Sequence, residues 1–140
     1  MMTINATDAR NAWSAVVDSV IREKPRFIKR TRDYLMLSDV KTIESILSAY
    51  NFTARVFQES NGSITLSLNE LDLVENSSDL EGAIAKLASG ILEYAEDFYN
   101  DFAYWAQGRR AAHIPFVIKA LIVNDATKIG GLIQCQHGEN

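Results

Sequence analysis

Two groups of charged residues in the 140-residue chain have types and spacings that could do chemistry, and they are opposite in sign. Over residues 1–34, Arg10, Arg22, Lys24, Arg26, Lys29, Arg30 and Arg32 outnumber the acids Asp8, Asp18, Glu23 and Asp33. Lys29, Arg30 and Arg32 lie close enough together to neutralise phosphates and release counterions. Arg10 carries the planar fork that reads a guanine edge in the major groove. Thr7 is placed to cap a helix, where free N–H groups and its own hydroxyl offer a phosphate site. Over residues 59–101 the balance reverses, and Lys86 is the one base among many acids. Glu93, Asp97 and Asp101 recur at i, i+4 and so share one helical face. Glu96 stands beside them, interleaved with Tyr94, Phe98, Tyr99, Phe102, Tyr104 and Trp105. Such a face suits a basic protein surface, with Tyr99 and Tyr104 as exposed anchors. Lysine and arginine also guard edge strands, and an acidic face is also ordinary for a solvated amphipathic helix. Charge by itself leaves both readings open.

Other chemistry is thin. His113, Cys135 and His137 make at most three zinc ligands where structural sites use four, and Cys135-Gln136-His137 falls on a tail expected to fray. There is no phosphate loop, Gly-x-Ser-x-Gly or Cys-x-x-Cys, and no carboxylate is paired with a base. No metal, cofactor or catalytic role is expected. The composition, 47% hydrophobic and 23% charged with net charge −4, is that of a globular protein. The lone cysteine, a start without signal-peptide character and apolar runs broken by charge imply a cytoplasmic protein with no membrane association.

The elements that must position these residues follow from periodicity. Residues 2–5 alternate as a short strand. Ala9, Ala12, Trp13, Val16, Val17, Val20 and Ile21 then recur at helical spacing, and the helix should stop near Glu23 because Pro25 disfavours helix in the residue before it. Residues 26–32 and 33–37 form a hairpin whose turn has no glycine, leaving Asp33 to tolerate a positive φ. Ser38 or Asp39 caps a helix with apolar face Val40, Ile43, Ile46, Leu47 and Tyr50. After Phe52 the period becomes two: residues 52–57 and 63–68 flank Asn61-Gly62, a strong hairpin signal. Residues 71–74 are a candidate third strand. Ser77 or Ser78 caps the longest helix, with Glu81 completing a capping box, and that helix runs toward Gln107 until Gly108. Shorter helices follow at 114–123 and 127–133. The expected fold is α+β: a βαββα module over 1–50, then a β-hairpin or meander with a helical remainder over 51–140.

Within the first module, Asn5-Ala6-Thr7-Asp8-Ala9-Arg10-Asn11-Ala12-Trp13-Ser14, then Lys24-Pro25-Arg26-Phe27-Ile28-Lys29-Arg30, then Tyr34-Leu35-Met36-Leu37-Ser38 resemble, in order and spacing, the Phd/YefM (prevent-host-death) antitoxins. The turn Thr31-Arg32-Asp33-Tyr34 departs from that family, which usually has a glycine there. Residues 53–68 with Asn76–Ile84 resemble more loosely the sheet-and-helix core of HicB-like antitoxins, in a RelB-class setting. These resemblances imply a homodimer, higher assembly left open, that binds operator DNA through Asn5, Thr7, Arg10, Asn11, Lys29, Arg30 and Arg32. They also imply a basic, RelE-like ribonuclease toxin held by Glu93, Glu96, Asp97, Tyr99, Asp101 and Tyr104. A stand-alone Phd-like transcriptional regulator, or a dimeric adaptor without a toxin, is the alternative.

Overall fold

A computed structural model describes residues 1–137; residues 138–140, the end of the expected second module, lie outside the described residues. The fold is mixed α+β, with two small sheets and seven α-helices in two compact units, residues 1–46 and 47–140.

The first unit opens with β1 (Thr3–Asn5), which runs directly into α1 (Ala6–Asn11). The cap is Asn5 rather than Thr7: its extended backbone turns Oδ1 back to accept the Thr7 N–H at 2.8 Å. Asparagine is at least as good a cap as threonine and sits one residue before the first helical position. The expected single helix bends at Ala12 (φ −117°, ψ 35°) and continues as α2 (Trp13–Arg22). The ladder survives the bend, because Ala12 N–H donates to Asp8 O and Val16 N–H to Ala12 O. Glu23 ends α2 two residues before Pro25. β2 (Arg26–Arg30) and β3 (Asp33–Leu37) pair antiparallel, with Arg30 opposite Asp33, and β1 lies parallel on the other side of β2. The positive φ of the turn falls on Thr31 (56°), not on Asp33, which stays in the ladder. A β-branched residue there is strained. Asp39 caps α3 (Val40–Ile46): Thr42 donates its N–H to Asp39 Oδ1, and hydrogen bonds from the Thr42 hydroxyl and N–H hold the Asp39 carboxyl below its usual range. That support is present above the ordinary carboxylate range and is lost as pH falls through the lowered value. The expected apolar face is divided. Val40 and Ile46 are exposed, while Leu47 is buried in a 3-10 turn (Leu47–Ala49) that belongs to the second unit.

In the second unit β4 (Thr53–Gln58) and β5 (Ile64–Leu68) form the expected hairpin, with Gly62 at φ 86°. The third strand starts later than expected, as β6 (Val74–Ser77). Leu71 is instead fully buried in the connection, and the carboxylate of the preceding Glu70 accepts the N–H and hydroxyl of Thr53. Asp79, not Ser77 or Ser78, caps α4 (Leu80–Asn100) by accepting the Gly82 N–H at 2.7 Å. A Cβ at Gly82 would press on Ser77 Oγ and stand 2.8 Å from Asp79 Oδ1, so a larger residue there would have to displace the capping side chain. α4 stops at Asp101 (φ −136°, ψ 55°), short of Gln107. A short α5 (Phe102–Trp105) and a 3-10 segment (Gly108–His113) follow. α6 (Ile114–Val123) and α7 (Ala126–Leu132, capped by Asp125) pack on α4, which also packs against the sheet and α5. The tail does not fray over Gln134–His137: it forms β7, parallel to β4, giving the sheet order β6-β5-β4-β7. Phe52, Leu66, Leu71, Leu87, Ile91, Phe98, Val117 and Ile129 form the fully buried centre. Among the described residues no helix is long and apolar enough to cross a membrane.

Candidate functional surfaces

Strand alternation sorts the basic residues of the first unit onto different faces. Arg10 and Arg30 converge on a groove of about 820 Å³ between α1 and the sheet, lined also by Ala9, Trp13, Ile28, Leu35 and Leu37. Asp33 stands in the same groove, 3.8 Å from Arg30, and both side chains are largely exposed. Lys29 follows the opposite alternation, in register with Asn5 and Tyr34, and its Nζ lies 5.6 Å from the centre of the Tyr34 ring. Arg32 is exposed in the hairpin turn, and Thr7 and Asn11 are exposed on α1. Asn5 uses its side-chain oxygen on the Thr7 N–H, so that donor is taken. Arg10 sits in the last turn of α1, where the negative end of the helix dipole favours a cation.

The sheet is apolar on both sides. Leu35 and Leu37 share the groove side with Ile28, while Phe27 and Tyr34 follow the opposite alternation, partly or largely exposed; Met36, paired with Phe27, also borders the groove. The sequence places Trp13 on the apolar face of a helix and Leu35 in a strand, but marks neither as a site residue. The signal was the unbroken run Tyr34-Leu35-Met36-Leu37, which implies a strand meant to be covered on both faces. One basic residue is structural: Arg26 donates from Nη1 to Ser19 Oγ at 2.9 Å, tying β2 to α2.

On the second unit, α4 buries Ala83, Leu87, Ala88, Ile91, Ala95 and Phe98 and exposes Glu93, Glu96, Asp97 and Tyr99. Glu93, Glu96 and Asp97, three and four apart, share a face that Tyr99 adjoins only through Glu96, and Asp101 leaves the row because the helix ends there. No base occupies the last turn of α4, and among the described residues Glu93, Glu96 and Asp97 have no cationic partner. A carboxylate in the last turn of a helix, here that of Asp97, is disfavoured by the helix dipole by about 0.3–1 kcal/mol, an effect that falls off within one turn.

Tyr104 is 60% exposed. The Arg110 guanidinium stacks 5.0 Å from its ring and 4.8 Å from that of Trp105. Behind them Tyr94 meets Phe98 and Trp105, and its hydroxyl lies 2.6 Å from His113 Nδ1. Burial pushes the Tyr94 hydroxyl up from its usual range. His113 is thus part of an aromatic cluster that closes the end of α4. Cys135 is half-buried on β7, and burial pushes its thiol up. Among the described residues no three His, Cys, Asp or Glu side chains are grouped to hold a metal.

The whole chain superimposes closely on a solved structure described as an antitoxin part of a toxin/antitoxin system from Syntrophomonas wolfei subsp. wolfei. The TM-score is 0.91 at 34% identity, covering 99% of this chain and 100% of that one. No curated protein matches the sequence significantly. The model of the PHD-like family, described as the antitoxin of RelE/RelB toxin–antitoxin systems, matches residues 1–135. Both similarities point to a non-enzymatic regulatory protein with a cognate toxin as its partner. From the strands of the small first sheet to β7, then, the chain belongs to the PHD-like family of toxin–antitoxin antitoxins.

Proposed function

We propose that this antitoxin neutralises a RelE-like ribonuclease toxin by direct binding and represses its own operon by binding operator DNA as a homodimer in the cytoplasm. In this reading residues 1–50 are a Phd/YefM-type dimerisation and DNA-binding module. Residues 51–140 are a HicB-like, RelB-class module that holds the toxin. What carries the toxin half is the exposed face of unpaired carboxylates Glu93, Glu96 and Asp97 on the C-terminal half of α4, followed by exposed Tyr99 and by Asp101 and Tyr104. Like charges gathered on one helical face with no base beside them fit a partner that supplies the positive charge, as a ribonuclease surface built for RNA phosphates does. On the first unit, the apolar groove suits a second copy, and Arg10 and Arg30 at the same groove are joined by Arg32 in the turn. Dimerisation would bring two such sets together on one duplex, with Thr7, Asn11 and Lys29 available for phosphates and Asn5 holding the helix start.

The test is a paired measurement on the full chain co-expressed with the product of the adjacent gene. Arg10→Ala should lower operator affinity by about 1–3 kcal/mol and leave capture of the toxin unchanged. Reversing Glu93 and Asp97 to lysine should do the converse. If Arg10→Ala weakens both equally, the division of labour is wrong. If no small basic protein co-purifies, the RelE-like assignment is wrong.

A further inference from the structure

The two edges of the four-stranded sheet are finished differently. On β6, Glu75 is half-buried and in register with the buried Leu66, so its charge is directed to the helix side of an edge strand. Lys86 Nζ donates to the Asn76 carbonyl oxygen at 2.9 Å, occupying a main-chain acceptor of the same strand. Inward charges and lysines are two of the ways in which natural sheets block strand addition. β7 has neither device. Gln134-Cys135-Gln136-His137 contains no Lys, Arg, Asp, Glu or Pro. The Gln134 N–H donates to Phe52 O at 2.8 Å, so Gln134 turns its backbone groups toward β4. Strand alternation then turns those of Cys135 and His137 outward.

We propose that β7 pairs antiparallel with β7 of a second copy about a two-fold axis at Gln136, joining two four-stranded sheets into one of eight strands. In this register Cys135 and the partner's His137 form a hydrogen-bonded pair, as do His137 and the partner's Cys135. The two Gln136 residues become the close non-hydrogen-bonded pair, with Cα atoms about 4.5 Å apart. A second copy fits this edge better than a foreign chain does. The strand has no Lys, Arg, Asp or Glu by which a basic or acidic partner would be recognised, and the self-pairing sets His137 opposite Cys135 rather than opposite its own copy. The Gln136 amide is both donor and acceptor, hence complementary to itself across a two-fold. Gln134 and Gln136 share the sheet face with Arg55, which is held over Phe57 with its guanidinium 5.1 Å from the ring centre.

The inference stands independently of the DNA and toxin readings, and so does its test. In the full chain with Cys135→Ser, single cysteines are placed by Gln136→Cys and by Gln134→Cys. The Gln136 pair lies within disulfide reach, whereas two copies of residue 134 would be about 14 Å apart at roughly 3.4 Å per residue. Mild oxidation is therefore expected to link Gln136→Cys into a dimer at least ~10-fold faster than Gln134→Cys. Adding His137→Pro, which removes an outward N–H while leaving the β4 side of the ladder intact, should return the rate to that of Gln134→Cys. Equal rates at the two positions, no linkage at either, or linkage at Gln136→Cys that ignores His137→Pro would overturn the pairing. Circular dichroism of each variant shows whether the fold is kept. A His137→Pro chain that loses its fold is replaced by amide hydrogen exchange on the unsubstituted protein, in which protected Cys135 and His137 amides support the pairing and freely exchanging ones overturn it.

Discussion

The two units of this antitoxin use their apolar residues in opposite ways. In the second unit Phe52, Leu66, Leu87, Ile91, Phe98, Val117 and Ile129 are sealed in one cluster between sheet and helices. In the first, only Ala9, Val16 and Val20 are buried, while Trp13, Ile21, Tyr34, Leu35, Met36, Val40 and Ile46 are 45–63% exposed. Ordering a residue costs about 1–2 kcal/mol of backbone entropy, and a unit of this size with three small buried side chains cannot offset that alone. The second unit is organised around its own core. The first leaves most of its large apolar side chains on its surface.

The largest test of that contrast is Phe98→Ala. Phe98 is fully buried and packs its ring against Tyr94, Phe102 and Trp105. Its removal should cost about 3–5 kcal/mol, read by urea denaturation through Trp105 fluorescence and independent of protein concentration. A loss below ~1 kcal/mol would mean that this core is not what holds the second unit. Next comes Leu35→Ala, read through Trp13 in a Trp105→Phe background. At 53% exposure in the single chain the substitution should be nearly silent. If a second copy covers the groove, it should cost about 1.5–3 kcal/mol, and the first-unit transition should rise by about 1.4 kcal/mol per tenfold increase in protein concentration. A concentration-independent transition would break the comparison. The smallest effect is Thr31→Gly. Relieving the positive φ should gain about 1 kcal/mol after the entropy of glycine is deducted, visible in the Trp13 transition alone. A loss there would show that the turn carries no strain.

Much of the architecture was legible because its signals are local. The alternation of residues 63–68, the Asn61-Gly62 turn and the stop before Pro25 depend only on near neighbours, and they reappear as β5, the β4–β5 hairpin and the end of α2. The acidic face of α4 was legible for the same reason, since helical spacing puts Glu93, Glu96 and Asp97 side by side. Competition between equivalent local choices was not legible. Asn5 over Thr7, Asp79 over Ser78 and Thr31 over Asp33 at positive φ were each settled by where the neighbouring strand or helix had to start. The bend at Asp101 was hidden because the apolar stripe continues through it. The chain turns there so that Trp105 and His113 can close on Tyr94, a contact no periodicity encodes.

By itself the sequence determined the fold class, the order of most elements and the opposite charges of the two halves, all set by side-chain type and spacing. Only the tertiary structure decided that Lys29 lies across the sheet from Arg10 and Arg30, that the groove beside Arg10 is apolar, and that Gln134–His137 is a strand. Each of these rests on residues far apart in the chain. β7 in particular has no hydrophobic alternation of its own and becomes a strand because the edge of β4 supplies the hydrogen bonds that its own sequence cannot demand.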